Sequence, residues 1–185
     1  MFEGQEIKIV FTGPMGAGKT TAIAAISDSA PVSTDVDNAD RATSDKDTTT
    51  VALDFGQLAL ESGQVVRLYG TPGQKRFEFM WRILGQGALG VILLLDASHI
   101  STLAELDAYL DAFDELARRR LLVVGIGRTN EPGATPVSDV LQRLRLRNLI
   151  IPVFSVDVRR REDVHLLIDA LLSLIESASD IEITA

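Results

Sequence analysis

Gly13-Pro14-Met15-Gly16-Ala17-Gly18-Lys19-Thr20 decides how the rest of the chain is read. It is a G-x-x-x-x-G-K-[ST] run with a strand-length apolar stretch, 7–11, directly before it and a stretch of helical character, 19–26, directly after. The glycines let the backbone curl, so that successive N–H groups and the N-terminus of the following helix converge on phosphate oxygens. Lys19 brings the charge that neutralises β- and γ-phosphates, and Thr20 a hydroxyl suited to Mg2+. Thr21 follows, placed to reach an α-phosphate. The phosphate-cradling set is therefore Gly13, Met15, Gly16, Ala17, Gly18, Lys19, Thr20 and Thr21. A glycine-rich turn with a chance lysine is the bland alternative, and the strand before it and helix after it argue against that.

Outward from this loop, apolar stretches of strand length alternate with stretches of helical period, the pattern of a parallel sheet covered by helices on both faces. Strands are expected over 7–11, 51–58, 65–69, 91–96, 121–126 and 151–154, and helices over 19–26, 77–84, 103–119, 136–145 and 163–176. Thr135 reads as an N-cap with Pro136 at the first helical position. Glu61-Ser62-Gly63 reads as a hairpin turn, making the second and third strands antiparallel neighbours. The expected fold is a doubly wound α/β domain with a mostly parallel six-stranded sheet and one antiparallel strand. The segment 27–49, rich in Asp, Ser and Thr without a periodic apolar face, is too long for an idle connection and reads as functional or mobile. Leu103, Leu106, Leu110 and Phe113 recur at helical spacing and read as core.

With 185 residues, 46% of them hydrophobic, the chain can bury one core, so a single domain over 1–185 is expected. Asp and Glu outnumber Lys and Arg by 26 to 18, a formal charge of −8, which argues against a nucleic-acid partner. The absence of cysteine excludes disulfides, thiolate zinc sites, thiol catalysis and cysteine-borne lipid anchors. The N-terminus lacks the features of a signal peptide, and the apolar runs fall far short of the roughly 20 residues of a membrane helix. A cytoplasmic location with no direct membrane anchor is expected.

A second motif, Leu68-Tyr69-Gly70-Thr71-Pro72-Gly73-Gln74, stands at the end of the third strand. Together with the first loop it resembles the D-T-A-G-Q segment of Ras-like small GTPases, and Pro72-Gly73-Gln74 resembles more specifically the bacterial MglA-like and conservon GTPase group. The resemblance spans nearly the whole chain. It implies a P-loop NTPase that binds GTP or GDP with Mg2+, ATP being possible, and hydrolyses the triphosphate slowly as a switch in bacterial signalling, polarity or motility. It implies that Gly73 donates its N–H to the γ-phosphate, and that Gln74 orients the attacking water while Lys19 stabilises charge. An ordinary strand-to-helix turn is the plain reading of the same two residues. Thr48-Thr49-Thr50 resembles the threonine-bearing switch, with Thr50 joining Thr20 as a metal ligand; the plain reading is a Thr-rich strand start. Arg128 and Asn130 stand where relatives carry an N-K-x-D-type base reader, and Ser155, Val156 and Asp157 where a backbone N–H reads the base carbonyl. A regulator of the roadblock type and an effector of unspecified kind are the implied partners.

Several positions depart from that pattern. Gly70 replaces the aspartate that fixes a magnesium-bound water, and Asp96 could supply a substitute carboxylate or simply cap its loop. Met15 would project toward the γ-phosphate and obstruct a partner's arginine, leaving Arg76 or Arg41 as candidates from this chain, though both read equally as surface charges. Asn130 offers one acceptor and one donor where guanine needs two acceptors, while Glu131 could restore a carboxylate. The rival readings are a module that holds nucleotide with negligible turnover, and an ATP-binding NTPase.

Overall fold

A strand covered on both faces must be apolar at nearly every position, and among the segments that meet that demand are β1 (Ile7–Thr12) and β5 (Gly90–Asp96), the second buried throughout. They pair in parallel at the centre of the sheet. A computed structural model describes residues 7–28, 32–33, 53–60 and 62–184. Around the central pair lie β2 (Val32–Ser33), β3 (Asp54–Ala59), β4 (Val65–Gly70), β6 (Leu122–Gly127) and β7 (Val153–Ser155), in the order β2-β3-β4-β1-β5-β6-β7. Only β3 runs against its neighbours. All six expected strands form, and the two-residue β2 adds a seventh within the segment read as lacking regular structure.

The helices are α1 (Lys19–Ile26), α2 (Glu78–Gly85) after a 3-10 turn at Lys75–Phe77, α3 (Thr102–Ala112), α4 (Asp114–Arg118), α5 (Val137–Leu146) and α6 (Arg161–Thr184). α1 and α6 pack together on one face of the sheet, while α2, α3 and α5 cover the other. Val164, Leu167, Ile168, Leu171 and Ile175 give α6 a stripe of buried residues at helical spacing, each contributing roughly 1.5–3 kcal/mol by burial. A Cβ at Gly90 or Gly125 would lie within 3.0 Å of Leu171 or Leu167, so these glycines set how closely α6 approaches the sheet.

Two helix expectations are corrected. The helix expected over 103–119 is divided at Phe113 (φ −115°, ψ 30°), whose ring turns inward to lie 3.0 Å from where a Cβ on Gly85 would stand. Thr135 does not cap α5: its N–H donates to Ala97 O at 2.7 Å, tying the loop to the end of β5, and the extended Pro136 (ψ 143°) precedes the first helical residue. Between β3 and β4 the hairpin closes as expected, Leu60 N–H donating to Gln64 O at 2.8 Å with Gly63 at φ +80°. The parallel strands all deliver their C-terminal ends to one edge of the sheet, where open α/β folds hold ligands.

Candidate nucleotide site

The loop leaving β1 depends on glycine at one position above all. Gly13 adopts φ +140°, and a Cβ there would lie 2.0 Å from Leu94 O. Any side chain would drive the loop off β5. Gly16 and Gly18 also take positive φ, so the chain wraps Lys19 instead of passing it. The Lys19 side chain is buried, and its Nζ donates to Gly13 O at 2.8 Å and Pro14 O at 2.7 Å. Burial lowers its pKa from the ordinary 10.5 to about 8, against the field of Asp54, which raises it. Thr20 Oγ1 donates to Asp54 Oδ2 at 2.6 Å.

The loop after β4 closes on this loop. Thr12 and Thr71, both buried, share a 2.8 Å hydroxyl–hydroxyl bond. A Cβ at Gly73 would lie 2.4 Å from Met15 N, so a glycine is required for this approach too. Trp81 Nε1 donates to Pro72 O at 2.6 Å, the indole stacks on Tyr109 at 4.1 Å, and Tyr109 Oη reaches Gly73 O at 3.5 Å. Gln74 turns its amide toward Met15 Sδ at 4.0 Å. Arg76 lies over the Phe77 ring at 4.9 Å.

Beside the loop opens a cleft of about 630 Å3. It gathers Gly16, Ala17, Gly18 and Thr21 with Arg128, Asn130, Ser155, Val156 and Asp157, the predicted phosphate-side and base-side residues together. Gly13, Met15, Lys19, Thr20, Gly73 and Gln74 lie outside its lining: Lys19 holds Gly13, Gly73 and Gln74 approach Met15, and Thr20 meets Asp54. Thr50, Arg41 and Glu61 lie outside the described residues. Val158 joins the two halves, its Cγ2 standing 2.5 Å from where a Cβ on Gly18 would be.

At the far end Arg128 takes φ +55° and pairs with Asp96, whose side chain is almost wholly buried. Asp96 also accepts from Ser98 N–H at 3.0 Å and Ser98 Oγ at 2.6 Å. It therefore caps its loop and anchors Arg128, while the carboxylate beside Thr20 is Asp54. Thr129 and Ser155 share a 2.8 Å hydroxyl bond, and Glu131 stands 3.9 Å from Arg128. Val156 N–H donates to Ile126 O at 3.0 Å, and Asp157 N–H to Asp163 Oδ2 at 2.8 Å, so both backbone donors already have acceptors. Arg159 clamps the Asp157 carboxylate through Nε at 2.8 Å and Nη2 at 2.6 Å, holding its pKa down to about 2. Arg159 and Arg160 also line the cleft.

The sequence alone does not single out Asp54, the carboxylate beside Thr20. The available signal was the hairpin: Asp54 and Gly70 are equidistant from Ser62, so pairing across that turn sets them opposite each other.

A phosphate-cradling loop and a cleft at the strand ends define a nucleotide-binding α/β protein. The chain belongs to the family described as conserved hypothetical ATP binding proteins, whose model matches residues 29–124. An uncharacterized protein of Methanocaldococcus jannaschii is 32% identical over 93 residues, 50% of this chain and 53% of that protein. The chain thus spans about half the length of the curated relative it matches. Among solved structures, the Arl6 BBS3 small GTPase from Trypanosoma brucei with bound nucleotide analogue GppNp aligns with a TM-score of 0.65 at 20% identity, covering 95% of this chain and 99% of that one. That likeness carries the fold, a small-GTPase-like α/β sheet. None of the helices among the described residues is long and apolar enough to cross a membrane.

Proposed function

We propose that the chain is a Mg2+-dependent purine-nucleotide switch, a single domain that binds GTP or GDP, discriminates weakly against ATP and hydrolyses the triphosphate slowly. The carrying observation is Lys19, a buried ammonium that, among the described residues, donates to two carbonyls of its own loop, at the edge of a cleft large enough for a nucleoside. Phosphate oxygens are far better acceptors for that charge. Thr20 and Asp54 offer a hydroxyl and a carboxylate, hard oxygen donors that fit Mg2+. When bound, that ion neutralises charge on the β- and γ-phosphates. In this reading the Gly73 N–H faces the terminal phosphate, and Gln74 places the attacking water after leaving Met15. The MglA-like resemblance supports a cytoplasmic role in bacterial signalling, polarity or motility, with a roadblock-type regulator and an effector.

Weak base discrimination follows from the far end of the cleft. Asn130 sets an amide donor against a guanine donor, a mismatch worth about 1–3 kcal/mol if buried. An asparagine amide can also pair bidentately with adenine. The Val156 N–H is engaged by Ile126 O, and the family description names ATP. Competition of GTP, ATP and XTP against a fluorescent diphosphate tests the reading. GTP and ATP are expected to fall within about tenfold of each other, or 1.4 kcal/mol. A larger preference for ATP overturns the guanine reading.

The second reading is a module that holds nucleotide without turning it over, and the placement of Gln74 on the Met15 sulfur favours it. Phosphate release under single-turnover conditions separates the two.

A further inference from the structure

We infer that Asp54, on the antiparallel strand β3, is the acidic residue of the cation site, an assignment that rests on the nucleotide reading above. In P-loop proteins the ion is held by the loop's Ser or Thr and a strand-borne aspartate. Thr20 is that hydroxyl by position, and the carboxylate within hydrogen-bond reach of it is Asp54, at 2.6 Å.

Register explains how a residue on β3 reaches the phosphate loop. Asp54 pairs directly with Gly70, and Gly70 pairs in turn with Phe11 of β1, two residues before Gly13. A Cβ at residue 70 would lie 2.9 Å from Asp54 Cβ, 3.1 Å from its Oδ2 and 3.1 Å from Ile23 Cδ1. Glycine at 70 therefore leaves the space through which the Asp54 carboxylate passes to the first turn of α1. A side chain at 70 would crowd Asp54 from its Cβ outward. Asp54 also acts on Lys19, whose charged form it favours. The other acidic candidate, Asp96, is occupied by Arg128 and Ser98.

A purely structural Asp54 would do no more than accept the Thr20 hydroxyl in the first turn of α1. The two roles separate when binding of a fluorescent diphosphate to the full chain is titrated in millimolar MgCl2 and in EDTA. Wild type is expected to bind more tightly with magnesium. Asp54→Asn, isosteric and still able to accept from Thr20, should lose about tenfold or more of that gain, read as the ratio of the affinities in MgCl2 and in EDTA. The exchange Asp54→Gly with Gly70→Asp moves the carboxylate across the strand pair and should recover most of the gain. Mn2+ in place of magnesium gives an independent readout, the bound-ion EPR signal weakening in Asp54→Asn and returning in the exchange. Equal loss of affinity with and without magnesium in Asp54→Asn, an undiminished magnesium gain, or a folded exchange variant that recovers none of it each overturns the assignment. Wild type that binds diphosphate equally with MgCl2 and EDTA overturns it too, leaving nucleotide binding intact. Wild type that binds no diphosphate under either condition sinks the nucleotide reading and this inference with it.

Discussion

Lys19 holds its charge in a place that water scarcely reaches, and its pKa of about 8 reflects that cost. For a base the sign is direct: the folded form releases its proton before the unfolded form does. Between pH 8 and 10.5 the unfolded chain therefore binds more protons, and this group's contribution to stability rises with pH across that window. Phosphate binding has the opposite trend, because it needs the ammonium. Affinity for a nucleoside diphosphate should fall about fivefold from pH 8 to pH 9, with proton uptake on binding rising from about one half to about nine-tenths, read by calorimetry in buffers of different ionisation enthalpy. A flat profile over that interval would detach Lys19 from the phosphates. Lys19→Ala should bind no triphosphate yet remain folded.

At the scale of elements, α2 matters through the loop before it. Trp81 fills the gap between α2 and α3 by stacking on Tyr109, and its N–H holds the Pro72 carbonyl, so the helix fixes where Gly73 meets Met15. Trp81→Phe keeps a ring in place but strands that carbonyl, and a destabilisation of about 1–3 kcal/mol is expected in urea titrations. Arg82→Ala, on the exposed side of the same helix, should stay within about 0.5 kcal/mol, since its ion pair with Glu78 is open to solvent. Equal losses in both variants would show that the loop contact contributes nothing. Phe79 and Ile83 stand exposed on α2, away from this contact.

Across the whole molecule, the loop, the strand ends and the cleft belong to one folded arrangement, so a ligand that needs all of them stabilises all of them. At a hundred times its dissociation constant a nucleotide adds about 2.7 kcal/mol. For a chain of this length that raises Tm by roughly 5–10 °C. The expected outcome is such a shift with triphosphate in wild type and none in Lys19→Ala, measured by calorimetric melting. A shift of equal size in the variant would place the ligand elsewhere.

Much of this arrangement is written locally. Gly13–Thr20 encodes its own curl through glycines that tolerate positive φ, and the apolar runs of β1 and β5 declare central strands because burial on both faces leaves no room for alternation. The turn around Ser62 even carries the register that sets Asp54 against Gly70. Other features answer to partners distant in sequence. The break at Phe113 follows from the space beside Gly85, and the displaced start of α5 from the Thr135 bond to Ala97. Arg159 and Arg160 look like solvated charges until the fold brings them to the cleft. Asp96 could serve a metal or a loop until Arg128 claims it, and Val156 could read a base until its N–H meets Ile126. Local chain stiffness and hydrophobic pattern suffice to determine which elements form. Which polar group satisfies which is settled only when the sheet closes, since each buried donor takes the acceptor that tertiary packing leaves beside it.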